Sequence, residues 1–208
     1  MNEKRSIVYI DGFNLYFGSL KGSKNKWLDI EKYFKLLRPD DEIKKIWYFT
    51  AKVWYKSADQ ETYLKALKTL ELVEIIEGKY KSKERRCGVT QCKFPGSKEY
   101  SGREEKRTDV NIALQILDDA YQNKCDRVIL VSGDSDLVPP LKLVKQRFPA
   151  KNIVVYIPTR DKTRGATVEL RSICDRHKTL PLDLLSKVQL PLSLSDGSGG
   201  RIEKPKNW

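Results

Sequence analysis

Four aspartates stand where a sequence can place chemistry. Asp11 closes the apolar run Ser6-Ile-Val-Tyr-Ile10 and precedes Gly12. Asp134 and Asp136 follow the apolar run Arg127-Val-Ile-Leu-Val131 within Val131-Ser-Gly-Asp-Ser-Asp136, and Asp109 opens a helical stretch. In open α/β sheets ligands bind beyond the carboxyl ends of the strands, so three of these carboxylates share one expected address. Carboxylates brought together repel and raise one another's pKa unless a cation sits among them. An all-oxygen donor set suits Mg2+ or Mn2+, held together with waters and phosphate oxygens. Such ions activate water and stabilise charge on the leaving oxygen of a phosphodiester. An Asp after a strand also commonly caps the next helix, and Asp109 or Asp136 taken singly would satisfy that role. Two matched strand-end motifs favour the metal site over capping.

The elements needed to hold these residues are legible as an alternation. Ser6–Ile10 is apolar enough for a buried parallel strand, with Gly12 as the turn out of it and a helix from Asn14. Residues 28–37 have helical spacing and stop before Pro39. Ile43–Ala51 is a second strand. Ser57 caps a helix running to about Leu70, with Tyr63, Leu64, Leu67 and Leu70 on one face, and Leu72–Tyr80 is a third strand. After residues 81–105, rich in Gly, Pro, Ser and charge, Val110, Ala113, Leu114, Ile116, Leu117 and Ala120 mark a helix with a wide apolar face. Arg127–Val131 is a fourth strand. Leu137 opens a helix that tolerates Pro139 and Pro140 in its first turn. Asn152–Ile157 is a fifth strand, and Ala166–Arg176 a final helix. A βαβα order argues for a doubly wound parallel sheet. Residues 1–182 read as one domain carrying a basic insertion loop at about 81–105, and residues 183–208, rich in Pro, Ser and Gly, as an extended tail.

Composition narrows the class. The chain has 208 residues, 39% hydrophobic and 33% charged, as expected of a globular protein. No apolar run reaches a membrane span, and the start, Met1-Asn-Glu-Lys-Arg, lacks a secretory pattern. Cysteines at 87, 92, 125 and 174 form no disulfide framework, which favours a reducing, cytoplasmic setting. The net charge of +12 is uneven: Lys79 to Arg107 holds ten Lys or Arg against four Glu, or +6. A charge run of this kind is often only a solvated loop. Half the excess in one segment nonetheless favours a polyanion, because phosphate contacts release condensed counterions.

Tyr9-Ile-Asp-Gly-Phe-Asn-Leu15, Lys106-Arg-Thr-Asp-Val110 and Val131-Ser-Gly-Asp-Ser-Asp-Leu137 together closely resemble the NYN domains, which include the LabA and DUF88 groups. The resemblance runs in order over roughly residues 5–180. Residues 170–177 look like the family's closing helix, and residues 190–208 are similar to an extension in some DUF88 proteins. It implies a PIN-like three-layer α/β/α fold with a mostly parallel sheet of about five strands. It implies a Mg2+- or Mn2+-dependent nuclease acting on RNA, with Asp11, Asp109, Asp134 and Asp136 as metal ligands. Asn14 matches the family's asparagine and is expected to hold a metal-bound water or a phosphate. Ser132 is expected to bond the carboxylates or the substrate. At Gln115, where other branches carry an acidic residue, a neutral amide would thin the metal site. The alternative is therefore a binding module for RNA or protein on a nuclease-like fold.

Lesser signals complete the reading. Arg107, Arg160, Lys162 and Arg164 are candidate phosphate contacts, the last three after the fifth strand. Trp47, Tyr48, Trp54 and Tyr55 read as core and rim aromatics, any of which could stack on a base. Cys87 and Cys92 are either half of a zinc site or part of a plain loop, and a homodimer sharing ligands would complete the former. His177, the only histidine, reads as a solvated helix end. A haloacid-dehalogenase phosphatase needs a second Asp where this chain has Phe13.

Overall fold

Residues 3–52, 57–161 and 167–208 are described by the computed structural model. Along the chain come β1 (Lys4–Asp11), α1 (Gly12–Leu15), α2 (Ile30–Leu37), β2 (Asp41–Thr50), α3 (Ser57–Leu67), β3 (Val73–Glu77), β4 (Lys79–Arg86) and β5 (Glu99–Lys106). Then follow α4 (Thr108–Tyr121), β6 (Arg127–Val131), α5 (Val138–Arg147), β7 (Asn152–Ile157), α6 (Val168–Ile173), β8 (Arg176–Thr179), β9 (Ser193–Ser195) and β10 (Arg201–Glu203). Six strands form one sheet in the order β3-β2-β1-β6-β7-β8, with every pairing parallel.

Alternation along the buried strands divides the core into two layers. Val8 and Ile10 of β1 face α2, α3 and the C-terminal segment, whereas Ile7 and Tyr9 face α4, α5 and α6. This is the expected three-layer α/β/α architecture, and each fully buried aliphatic side chain contributes about 1.5–3 kcal/mol. β1 and β6 are neighbours with Ile10 opposite Val131. Their carboxyl ends, which carry Asp11 and the Ser132–Asp136 turn, therefore lie side by side.

Polar anchors fix both ends of the sheet. At the amino ends, the Asp41 carboxylate, 1% exposed, pairs with Arg38 at 2.9 Å and with Arg127, and accepts the Ser6 hydroxyl at 3.0 Å. Between β1 and α4, buried Asp119 accepts Tyr9 Oη at 3.0 Å, Trp47 Nε1 at 2.8 Å, Gln115 Nε2 at 3.0 Å and Lys124 Nζ at 3.1 Å.

The structure departs from the sequence expectations in four places. The sheet has a sixth strand, because α6 ends at Ile173 rather than running to 176. The Asp175 carboxylate accepts the Ile153 amide at 2.7 Å and pairs with Lys145 at 2.6 Å, which draws the chain onto the sheet edge as β8. His177 thus lies on an exposed edge strand, not at a helix end. The third strand stops at Glu77. Gly78 breaks it where a Cβ would lie 2.7 Å from Thr108 Oγ1 and 2.8 Å from the Lys106 carbonyl. The expected basic loop is an antiparallel hairpin, β4 with β5, paired from Lys79↔Lys106 to Arg86↔Glu99. Both of its faces are largely exposed and polar, so no apolar alternation marked it as strand. The expected extended tail folds back: Leu185, Val188, Leu190 and Ile202 are buried, β9 pairs with β10, and Trp208 packs 5.3 Å from Tyr63. Trp54, Tyr55 and the side chain of Ser57, on which its capping role rests, lie outside what is described. Among the described residues no helix is long and apolar enough to cross a membrane.

Candidate metal centre at the carboxyl edge of the sheet

The site is built on the turn that leaves β1. Asp11, 3% exposed, is the N-cap of α1: its Oδ1 accepts the Asn14 amide at 3.0 Å. Its Oδ2 accepts the Asn14 side-chain amide at 2.6 Å and the Ser132 hydroxyl at 3.1 Å. Gly12 permits the turn, since a Cβ there would lie 2.7 Å from the Phe49 carbonyl. A π-helical turn over Tyr16–Leu20 continues α1. Gly18 lets it approach the end of β7, where a Cβ would meet the Pro158 carbonyl at 1.9 Å.

The turn after β6 supplies the second wall. Asn14 Oδ1 accepts the Gly133 amide at 3.3 Å, the Ser132 hydroxyl accepts the Asp134 amide at 3.1 Å, and Asp134 Oδ1 accepts the Asp136 amide at 3.0 Å. Asp11 and Asp134 thus both act as caps, and capping leaves Asp134 beside Asp109 and Asp136, whereas Asp11 stands outside that group of three. Asp109 arrives in the first turn of α4, where a carboxylate also meets the favourable end of the helix dipole. Asp109, Asp134 and Asp136 each offer a carboxylate oxygen, and these atoms lie within 4.8 Å of one another.

Electrostatics mark the same place. The Asp109 carboxyl is pushed up to about 6 by burial and by the charges of Asp11, Asp134 and Asp136. Asp11 is raised by burial and by Asp134, against the hydrogen bonds from Asn14 and Ser132. The donors are carboxylates drawn close against their mutual repulsion, which fits a hard divalent cation.

Other expected residues fall in differing places. Ser132 is fully buried and divides its hydroxyl between Asp11 and the Asp134 amide, so it positions the aspartates. Asn14 acts in the same way, through Asp11 and Gly133. Arg160 spends Nε and one terminal nitrogen on the Ser19 carbonyl, at 3.1 and 2.9 Å, and so pins the π-helical turn rather than presenting a free fork to phosphate. Lys162 and Arg164 lie outside the described residues. Gln115 donates to Asp119, one turn farther along α4, so position 115 serves that structural network. Cys87 and Cys92 sit in the hairpin turn as free thiols, and among the described residues only the three aspartates form a group able to hold a metal.

Glu105 carries no signal in the sequence that marks it out. This residue at the base of β5 is pushed up to about 7 by burial and by the charges of Asp109 and Asp11, and its buried Oε1 has no partner among the described residues. Its coupling to Asp11, distant in the chain, exists only in the folded structure. Arg107, between Glu105 and Asp109, is exposed with φ of 82°. Left-handed backbone costs a side chain about 1–2 kcal/mol. Arg107→Gly is therefore expected to raise stability by up to about 1 kcal/mol, after glycine's own entropy cost. If the Arg107 side chain meets phosphate, the same change also lowers the salt dependence of RNA binding by about one unit of slope. Thermal melts and a salt titration check both halves, and a lower melting temperature would show that the turn is not strained.

Tyr80 at the foot of the hairpin packs edge-on to Phe13, at 5.8 Å, so the basic arm is anchored beside the aspartates. Its residues Lys79, Lys81, Arg85 and Arg86 take part in none of the ion pairs found among the described residues.

Comparison with known proteins places this geometry. A family model described as the NYN domain matches residues 5–181. Over 98% of its length the chain is 30% identical to 6-hydroxy-3-succinoylpyridine 3-monooxygenase HspA of Pseudomonas putida, covering 75% of that protein. Its fold is similar, with a TM-score of 0.57 and 19% identity, to the crystal structure of VPA0982, a protein of unknown function from Vibrio parahaemolyticus. That likeness covers 90% of this chain and 97% of the other.

Proposed function

Because this chain belongs to the NYN domain family, we propose that it is a Mg2+- or Mn2+-dependent nuclease that hydrolyses RNA, with residues 1–182 as the catalytic unit. The observation that carries this is the group of Asp109, Asp134 and Asp136, whose oxygens lie within 4.8 Å of one another beside buried Asp11. These four carboxylates would hold the ion. When bound, it activates water and offsets charge on the phosphodiester. Asn14 and Ser132 keep Asp11 and the Asp134 backbone in register, so the cluster is set before substrate arrives. The hairpin's lysines and arginines supply phosphate contacts beside it, and Arg107 presents its cation at the junction with Asp109.

The test uses labelled single-stranded RNA with Mg2+, Mn2+ or chelator, on the parent protein and Asp134→Asn. Metal-dependent cleavage that vanishes in the variant supports the nuclease. RNA binding without cleavage under either metal would make the chain a binding module instead. A second reading takes its cue from the relative named as a monooxygenase of a succinoylpyridine: an enzyme of small aromatic substrates. The observation that favours it is an aromatic recess beside the Asp11 turn. Turnover of a hydroxypyridine acid by a protein that leaves RNA intact would select it.

A further inference from the structure

Gly12 and Phe13, between Asp11 and Asn14, also line a recess of about 620 Å3, a size typical of ligand pockets. Its walls are aromatic. Phe13 stacks with Phe17 at 6.2 Å, and Tyr63 packs against Tyr48 at 6.4 Å and Trp208 at 5.3 Å. Phe17, 58% exposed, presents its ring at the mouth of the recess. Two cations stand at the rim, Lys21 at 5.0 Å from the Phe17 ring and Lys26 at 5.4 Å from the Trp208 ring. Tyr48, only 6% exposed, makes no hydrogen bond among the described residues. Tyr48 lines the recess, so its hydroxyl can donate to a group bound there.

We propose that this recess binds one nucleotide, its base between the Phe13/Phe17 and Tyr63/Trp208 walls, hydrogen-bonded by Tyr48, with its phosphate against Lys21 and Lys26. A flat ring with in-plane polar atoms suits the walls and the phenol, since bases of any identity stack on aromatic side chains. The two rim lysines outnumber Asp59, the one carboxylate side chain in the described lining, and with the net charge of +12 they favour an anionic ligand over a neutral ring. The proposal deepens the nuclease reading and rests on the chain's acting on nucleic acid. A base seated here would fix which phosphodiester of a strand lies over the Asp11 turn.

The experiment titrates the full chain, in chelator, with uridine and adenosine 5′-monophosphates, the parent nucleosides and a hydroxypyridine carboxylate. Calorimetry and tryptophan fluorescence report binding, and RNA cleavage with metal is measured separately. Saturable binding of the monophosphates is expected, weakened about three- to tenfold by Tyr48→Phe. Lys21→Ala is expected to weaken the monophosphates but not the nucleosides. A protein that cleaves RNA yet binds no nucleotide overturns the recess proposal alone. So do variants with parental affinity, or tighter binding of the pyridine acid. Nucleotide binding with that variant pattern in a protein that never cleaves supports the recess and sinks the nuclease.

Discussion

Asp109→Asn is expected to lower RNA cleavage at least about a hundredfold while making the metal-free protein more stable at neutral pH. The loss of activity follows from position. Changing a group that merely orients a metal ligand typically costs 10–100-fold, so removing a ligand should exceed that. The stability gain follows from charge. Burial and three neighbouring aspartates push the Asp109 carboxyl up to about 6, above its ordinary value of about 3.9. An acid raised on folding is protonated more in the native state, so stability is greatest below the unfolded value and is lost as pH rises from about 4 through 6. At pH 7 without metal the penalty is fully present. After solvent screening of this half-buried group it is worth about 1 kcal/mol, and Asn removes it. Added Mg2+ or Mn2+ should reverse the order, because a cation bound to the native state stabilises the parent. Thermal melts with chelator and with metal read both signs. A metal-induced shift equal in parent and variant would remove Asp109 from the ion's ligands.

Far from that site, Asp41→Ala is expected to destabilise the fold by about 3–5 kcal/mol, since it strands two arginines at the amino edge of the sheet. Asp41 is 1% exposed, and the Arg38 and Arg127 side chains are 16% and 13% exposed. Burial alone would raise the Asp41 carboxyl, but hydrogen bonds from Arg38, Arg127 and Ser6 hold it below the usual range. A depressed acid contributes stability above its unfolded value of about 3.9 and loses it as pH falls through the lower folded value. The parent should therefore weaken steeply below about pH 4, and Asp41→Ala less steeply from its lower start. Denaturant melts from pH 7 to pH 2 measure this. A difference under about 1 kcal/mol at pH 7 would mean the arginines find other partners.

Much of this protein is readable from sequence because its strands are buried on both faces. Ser6–Ile10, Arg127–Val131 and Asn152–Ile157 are continuous apolar runs, and a parallel sheet demands runs of that kind. With those strands in place, Asp11, Asp134 and Asp136 had to emerge at one edge, and Asp109 needed only a helix start beside it. What escaped was structure carried by polar residues. The hairpin over Lys79–Lys106 has no apolar face, and β8 is fully exposed, so neither left a periodic signal. The polar composition of residues 183–208 concealed the few apolar side chains, such as Leu190 and Ile202, that bury the segment.

Side-chain roles depend on partners distant in the chain. Ser132 reads equally as a substrate contact until its hydroxyl meets Asp11, 121 residues away. Gln115 reads as a weakened ligand until its amide meets Asp119, and Glu105 is one more charge in a basic segment until the fold sets it beside Asp109 and Asp11. The chain by itself determined the four aspartates and the sheet edge they share, through local apolar patterning. Only the tertiary structure decided which side chains hold those aspartates in place, which merely brace the core, and that an aromatic recess opens beside them. Such contacts join residues that no local pattern relates.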